Sequence, residues 1–351
     1  MWEVVRQWFH RYLSDPQAVV LLVLLVGGFS VVLFMGNMLT PVLAALVIAY
    51  LLEGLVRILA RIGVVRPRGV ILVFTLFMAL LLFLVFGLIP LVWAQLVDLV
   101  RDLPTYISRG QEALHTIPQH YPLISDDQID ELITLLHTRL AEQIKILLGL
   151  SIASIPGLIS LLIYLVLVPL LVFFFLKDKQ RLLGWFSNFL PRDRALAVGV
   201  WHEVDQQIGN YVRGKFWEIL IVGIVTIIAF GLLGLKYALL LGALVGLSVV
   251  VPYIGAVVVT VPVTLIAWFQ WGWSHDFAVL MAVYTIIQGL DGNVLVPLLF
   301  SEVVNLHPVA IIVAVLVFGG VWGFWGVFFA IPLATLVNAI LHAWPRTAEQ
   351  G

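Results

Sequence analysis

Apolar runs long enough to cross a lipid bilayer recur along the whole chain, and they constrain its fold more than any other feature. They lie at about 17–36, 41–60, 69–93, 155–176, 217–235, 238–268, 277–299 and 308–342. About 20 apolar residues at 1.5 Å per residue cross a hydrocarbon core roughly 30 Å thick. Of the 351 residues, 62% are hydrophobic and 11% charged, whereas soluble domains carry charge at roughly 25% of positions. The expected fold class is therefore all-α: a polytopic inner-membrane protein of about eight transmembrane helices, the later ones broken or re-entrant. A formal net charge of −1 leaves no basic footprint for nucleic acid. With no cysteine in the chain, disulfides, thiolate metal sites and cysteine nucleophiles are excluded.

Arg6 and Arg11 precede the first run, as in a signal peptide. The run is longer than a signal core, no Ala-x-Ala site follows, and a second run starts almost at once. It reads as a retained anchor. "NMLTP" (37–41) is expected to turn the chain into a second helix, and a third covers 69–93. These make an N-terminal membrane segment, 1–93. Arg57, Arg61, Arg66 and Arg68 between the second and third helices place that loop, and with it the N-terminus, in the cytoplasm.

Residues 94–150 change character: acidic residues outnumber basic ones and Pro104, Pro118 and Pro122 punctuate. They read as an extracytoplasmic insert. Its second half opens on Ser125, Asp126, Asp127 and Gln128, a capping pattern. Apolar residues from Ile129 to Leu147 then follow at amphipathic spacing. Such a helix packs on its own subunit or the membrane surface, or makes a subunit contact. A fourth membrane helix (151–176) leads to a Lys- and Arg-bearing cytoplasmic insert (177–216), amphipathic through Val200, Val204, Ile208 and Tyr211. The remainder, 217–345, is expected to be the membrane core that carries the transport site, with the C-terminus also cytoplasmic.

Three stretches of that core carry candidate chemistry. In "YTIIQGLDGNVLVPLLF" (284–300), Tyr284, Gln288 and Asp291 share one helix face, and Asp291 is read as the one carboxylate deep in the membrane. A carboxylate there is costly unless it meets partners or water. It either binds substrate or a coupling ion, or ties two helices together. Gly289 and Gly292 bracket it, so local unwinding is expected, with Asn293 on the other side and Pro297 beyond. In "VVPYIGAVVV" (250–259), Pro252, Tyr253 and Gly255 mark a helix break whose exposed ends can hold a polar substrate or an ion, or a plain proline kink. In "GGVWGFWGVFFAIP" (319–332), Gly319, Gly320, Gly323 and Gly326 suit close helix packing or a hinge, and Gly242 and Gly246 repeat the packing pattern. Glu302, Asn305 and His307 read as polarity of a boundary loop. Zinc-protease, serine-elbow and phosphate-loop patterns are missing from the sequence. No enzyme activity, metal or cofactor is expected, and uphill transport would need an ion or proton gradient or another protein.

"LVPLLVFFFLKDK", "NYVRGK", "VVPYIGAVVVTVPV", "QGLDGNVLVPLLF" and "LHPVAIIVAVLVFGGVWGFWGVFFAIPLATL" cover most of 165–340 in order. In these blocks the chain resembles the autoinducer-2 exporter family, and within it the PerM-type permeases. The resemblance implies about eight helices and a homo-oligomer, with a pentamer as the family's expected state. It also implies export of autoinducer-2 in some members and sodium–proton antiport in others. The positions it shares include Asp205, Tyr211, Arg213 and Gly214 at the cytoplasmic interface, together with Pro252, Gly255, Gln288, Asp291, Asn293, Pro297, His307 and Pro308. Three functions stay open: export of a small polar solute, sodium–proton antiport, and an oligomeric membrane scaffold or channel.

Overall fold

The computed structural model describes residues 16–115, 155–188, 195–300 and 307–343. The expected amphipathic helix within 125–148, Glu302 and Asn305, and both chain ends lie outside the described residues. The described residues are helical, without strands. Thirteen α-helices run α1 (Pro16–Arg61), α2 (Arg66–Phe83), α3 (Ile89–His115), α4 (Ile155–Lys177), α5 (Lys179–Asn188), α6 (Ala195–Leu232), α7 (Ala238–Ser248), α8 (Ile254–Trp271), α9 (His275–Leu290), α10 (Val296–Phe300), α11 (Pro308–Trp322), α12 (Phe324–Phe328) and α13 (Ala330–Ala343). Two π-helical turns, Leu84–Leu88 and Asp291–Leu295, join α2 to α3 and α9 to α10.

Among the described residues, five helices are long and apolar enough to cross a membrane: Met38–Arg61, Arg66–Gly110, Asp205–Leu232, Ile254–Trp271 and His275–Phe300. Leu162–Lys177, Ala238–Ser248 and Pro308–Trp322 are shorter apolar helices.

One expectation is corrected. "NMLTP" is not a turn, because α1 runs unbroken through it with Pro41 inside. Proline removes one backbone hydrogen bond, and α1 tolerates this because Ala45, Ala49 and Val56 pack it against α4 and α2. The helix that carries the third apolar run also extends past residue 93. The helix continues through 94 to His115, and Leu96, Leu99 and Tyr106 pack into the same cluster as α7, α8 and α9. Asp98, Arg101, Thr105, Ser108 and Arg109 are exposed, while Gln95 and Asp102 face the start of α7 alongside Leu99 and Tyr106.

The two longest apolar runs are both broken. The 238–268 run splits into α7 and α8 around residues 249–253. Near the end of α8, Gln270 folds back on the start of α7, its Nε2 donating to Gly234 O (2.8 Å) and its Oε1 accepting from Lys236 N (2.8 Å). Glycines set how closely α7 lies on α6. A Cβ on Gly246 would stand 2.7 Å from Gly223 Cα, and one on Gly242 would stand 2.5 Å from Ile227 Cγ1. The 308–342 run breaks at Gly323, whose φ of 58° suits glycine. Gly326 then lies so close to Phe318 that a Cβ would fall 1.8 Å from its carbonyl oxygen. Gly319 faces Val327 at 2.8 Å, while Gly320 faces open space.

Candidate functional site

Along α9, the polar face read from the sequence begins at Tyr284, which is only 2% exposed. Thr260 Oγ1 on α8 already donates to Ala256 O (2.7 Å), so the Tyr284 hydroxyl donates to Thr260 at 2.8 Å. Its ring lies 6.1 Å from that of Phe230 on α6. One and two turns further on come Gln288 and Asp291. Gln288 Nε2 and Asp291 Oδ1 are both buried and neither has a hydrogen-bond partner. Two orphaned polar atoms a turn apart in an apolar helix are costly to leave unmet. Asp291 opens the second π-helical turn, so the "GLDGN" segment is widened rather than unwound. Asn293 is exposed and donates to Gly289 O of its own helix (2.8 Å), which sets it apart from Gln288 and Asp291. Pro297 is likewise exposed.

Opposite this face stands a pair that the sequence reading missed. Lys215 and Glu218 of α6 have side chains 5% and 3% exposed, and Lys215 Nζ lies 2.6 Å from Glu218 Oε2. They sit within the apolar span Asp205–Leu232. Lys215 is about 15 Å along the helix from Asp205 and about 25 Å from Leu232. The charges of Glu218 and Asp291 act on one another, and that of Lys215 acts on both. Beside the Asp291 singled out in the sequence, the apolar segment of α6 thus carries a second buried carboxylate, Glu218, paired with Lys215. The signal lay in "GKFWE", an opposite-charge pair three residues apart entering an apolar run.

The same lysine explains why a break is stable at "VVPYIG". Lys215 Nζ donates to Val249 O at 2.9 Å. Val249 caps the end of α7, where carbonyls lack helical partners and carry the negative end of the helix dipole. Pro252 lies within the break. Tyr253 has a φ of 62° and an exposed side chain. At Gly255 a Cβ would fall 1.8 Å from Ser248 O, so only glycine lets α8 start across the end of α7.

Lys215 also stands 5.2 Å from the Phe300 ring centroid and 6.0 Å from that of Tyr211. Tyr211 is fully buried against Phe300 and Phe328. Gly214 lets α10 close on α6, since a Cβ there would lie 2.8 Å from Phe300 Cε1. Nearer the start of α6, Asp205 accepts a hydrogen bond from the Tyr50 hydroxyl of α1. Arg213 Nη2 donates to Asn210 Oδ1 at 2.7 Å. His307 is exposed and caps α11 by accepting from Val309 N (3.3 Å).

At the opposite end of α6, Gln95, Asp98, Arg101, Asp102, Lys236 and Tyr237 line a cavity of about 410 Å³. Tyr237 holds a left-handed φ of 59° and donates to Asp102 Oδ2 at 2.6 Å. Burial and the neighbouring Asp102 push its hydroxyl well above the usual tyrosine range, so it stays a donor.

Comparison with known proteins agrees with this architecture. The family described as "AI-2E family transporter" matches residues 20–346. PerM of Escherichia coli strain K12, which carries the name permease, is 49% identical over 346 residues, covering 98% of each chain. YueF of Bacillus subtilis, named as a transport protein, is 26% identical over 88% of this chain and 84% of its own. The AI-2 transport protein TqsA of Escherichia coli is 24% identical over 94% and 93%. A membrane-spanning helical chain with a charged cluster at a helix break, matched over nearly its whole length, belongs to the AI-2E transporter family.

Proposed function

We propose that this chain is a secondary transporter that exports a small polar solute across the inner membrane, driven by protons taken up at the Lys215–Glu218–Asp291 cluster. The observation that carries this reading is the buried Lys215–Glu218 pair, held against the carbonyl of a broken helix and within the field of Asp291. With both carboxylates ionised the cluster has one negative charge in excess. A single proton brings it to neutrality, and a neutral cluster is far cheaper to enclose in an apolar surround than a charged one. Proton uptake then permits an occluded state, and the break between α7 and α8 is the element that Lys215 can hold or release. Gln288 Nε2 and Asp291 Oδ1 supply polar contacts for a solute rich in hydroxyls. The name of TqsA supports an autoinducer-2-like solute.

In this reading both chain ends face the cytoplasm, the helix pairs α7–α8 and α11–α13 are re-entrant, and the working unit is a homo-oligomer. The polar cavity at Tyr237 is where the solute leaves.

Sodium–proton antiport draws support from the convergence of two carboxylates. A sodium ion would have to displace the Lys215 ammonium from Glu218, so we rank it second. Sealed liposomes under an imposed pH gradient separate the readings. Solute flux that accompanies proton movement and ignores sodium is expected. Proton movement triggered by sodium alone would establish the antiporter. An absence of flux with either, together with assembly or stability lowered by Asp291→Asn, would favour a scaffold.

A further inference from the structure

We propose that the end of the bundle where α1, α2, α4 and α5 meet binds the phosphodiester headgroup of an anionic phospholipid. Glu53 of α1, its side chain 7% exposed, is shared by three cations. Arg66 grips it with both terminal nitrogens at 3.1 and 3.0 Å, Lys179 Nζ lies at 3.5 Å, and Arg57 Nε is 4.0 Å away. One carboxylate among three cations leaves two positive charges in excess. Arg66 also donates to Leu176 O at 3.2 Å, which fixes its guanidinium plane between α2 and α4. That grip commits the Arg66 fork to Glu53, so Lys179 and Arg57 are the cations left to meet a phosphate. The cations remain accessible at 53% for Arg57, 34% for Arg66 and 35% for Lys179.

The surroundings favour a lipid over a free anion. Ile62 and Val65, in and beside the link between α1 and α2, are 71% and 61% exposed, and Trp185 on α5 is 55% exposed. Trp185 lies about 9 Å along α5 from Lys179. Apolar and indole surface beside a cation cluster fits acyl chains and the headgroup level of a bilayer. A soluble phosphate has no use for it.

The test uses the full-length chain, purified, delipidated and titrated with phosphatidylglycerol or phosphatidylcholine of matched acyl chains, with bound lipid read by native mass spectrometry. Phosphatidylglycerol should be retained over phosphatidylcholine. Lys179→Gln and Arg57→Gln should each weaken its retention about fivefold, the share of one cation near a lipid phosphate. Arg101→Gln, at the far end of the bundle, should leave retention unchanged. Both lipid-site variants keep Arg66 on Glu53, and unchanged thermal unfolding shows that they remain folded. Equal retention of the two lipids would overturn the proposal. So would full retention by a variant carrying both Lys179→Gln and Arg57→Gln, or displacement of the lipid by inorganic phosphate at equal concentration, which would mark a free-anion site.

Discussion

Lys215 ties α6 to the end of α7 and to Phe300 of α10, and its chemistry sets the first prediction. Its ammonium sits between Glu218 and the Val249 carbonyl. Lys215→Met should cost about 3–5 kcal/mol, because it leaves a buried carboxylate uncompensated. Replacing both partners, as Lys215→Met with Glu218→Met, should recover most of that stability while transport stays lost. Tryptophan fluorescence through thermal unfolding in detergent measures the first effect and liposome flux the second. If the double variant unfolds as early as the single one, the pair is not the source of the cost. Tyr253 makes the opposite case. Its φ of 62° is strained for a side chain that is 57% exposed, so Tyr253→Gly should raise stability by roughly 1 kcal/mol. A fall in the unfolding temperature would instead assign that side chain a packing role.

At the scale of elements, the breaks were legible and their purpose was not. Pro252 with Gly255, and the glycines around 323, mark where long apolar runs divide, since proline lacks a donor and glycine accepts positive φ. That a lysine 34 residues earlier satisfies the first break depends on how α6 and α7 pack, which no local pattern reports. The same limit explains "NMLTP": a proline reads as a turn until neighbouring helices stabilise a continuous rod around it. The polar face of α9 was readable at Tyr284, Gln288 and Asp291, whereas its charged counterpart on α6 was overlooked because Lys215 and Glu218 sit where a cytoplasmic segment was expected to enter the bilayer. Helix contact gives the third prediction. Gly246→Ala would place a methyl 2.7 Å from Gly223 Cα and 2.9 Å from Ile219 O, backbone atoms that cannot step aside. It should destabilise by about 1–3 kcal/mol. Gly320→Ala, which meets nothing within 4 Å, should be neutral. Thermal unfolding of the two variants side by side checks the contrast.

The whole molecule places a charged, orphan-bearing cluster midway along α6 and a polar cavity beyond its C-terminal end, with α7 packed along α6 between them. The function proposed above sends a polar solute past that stabilised break. The measurement that tests it most directly is proton movement in sealed liposomes as an imposed solute gradient runs down, for the wild-type chain and for Asp291→Asn inserted in equal amount. Coupling through the cluster predicts proton movement that follows the solute in the wild type and falls to the level of empty liposomes in Asp291→Asn. Undiminished coupled movement in Asp291→Asn, with the protein folded and inserted, would contradict the account.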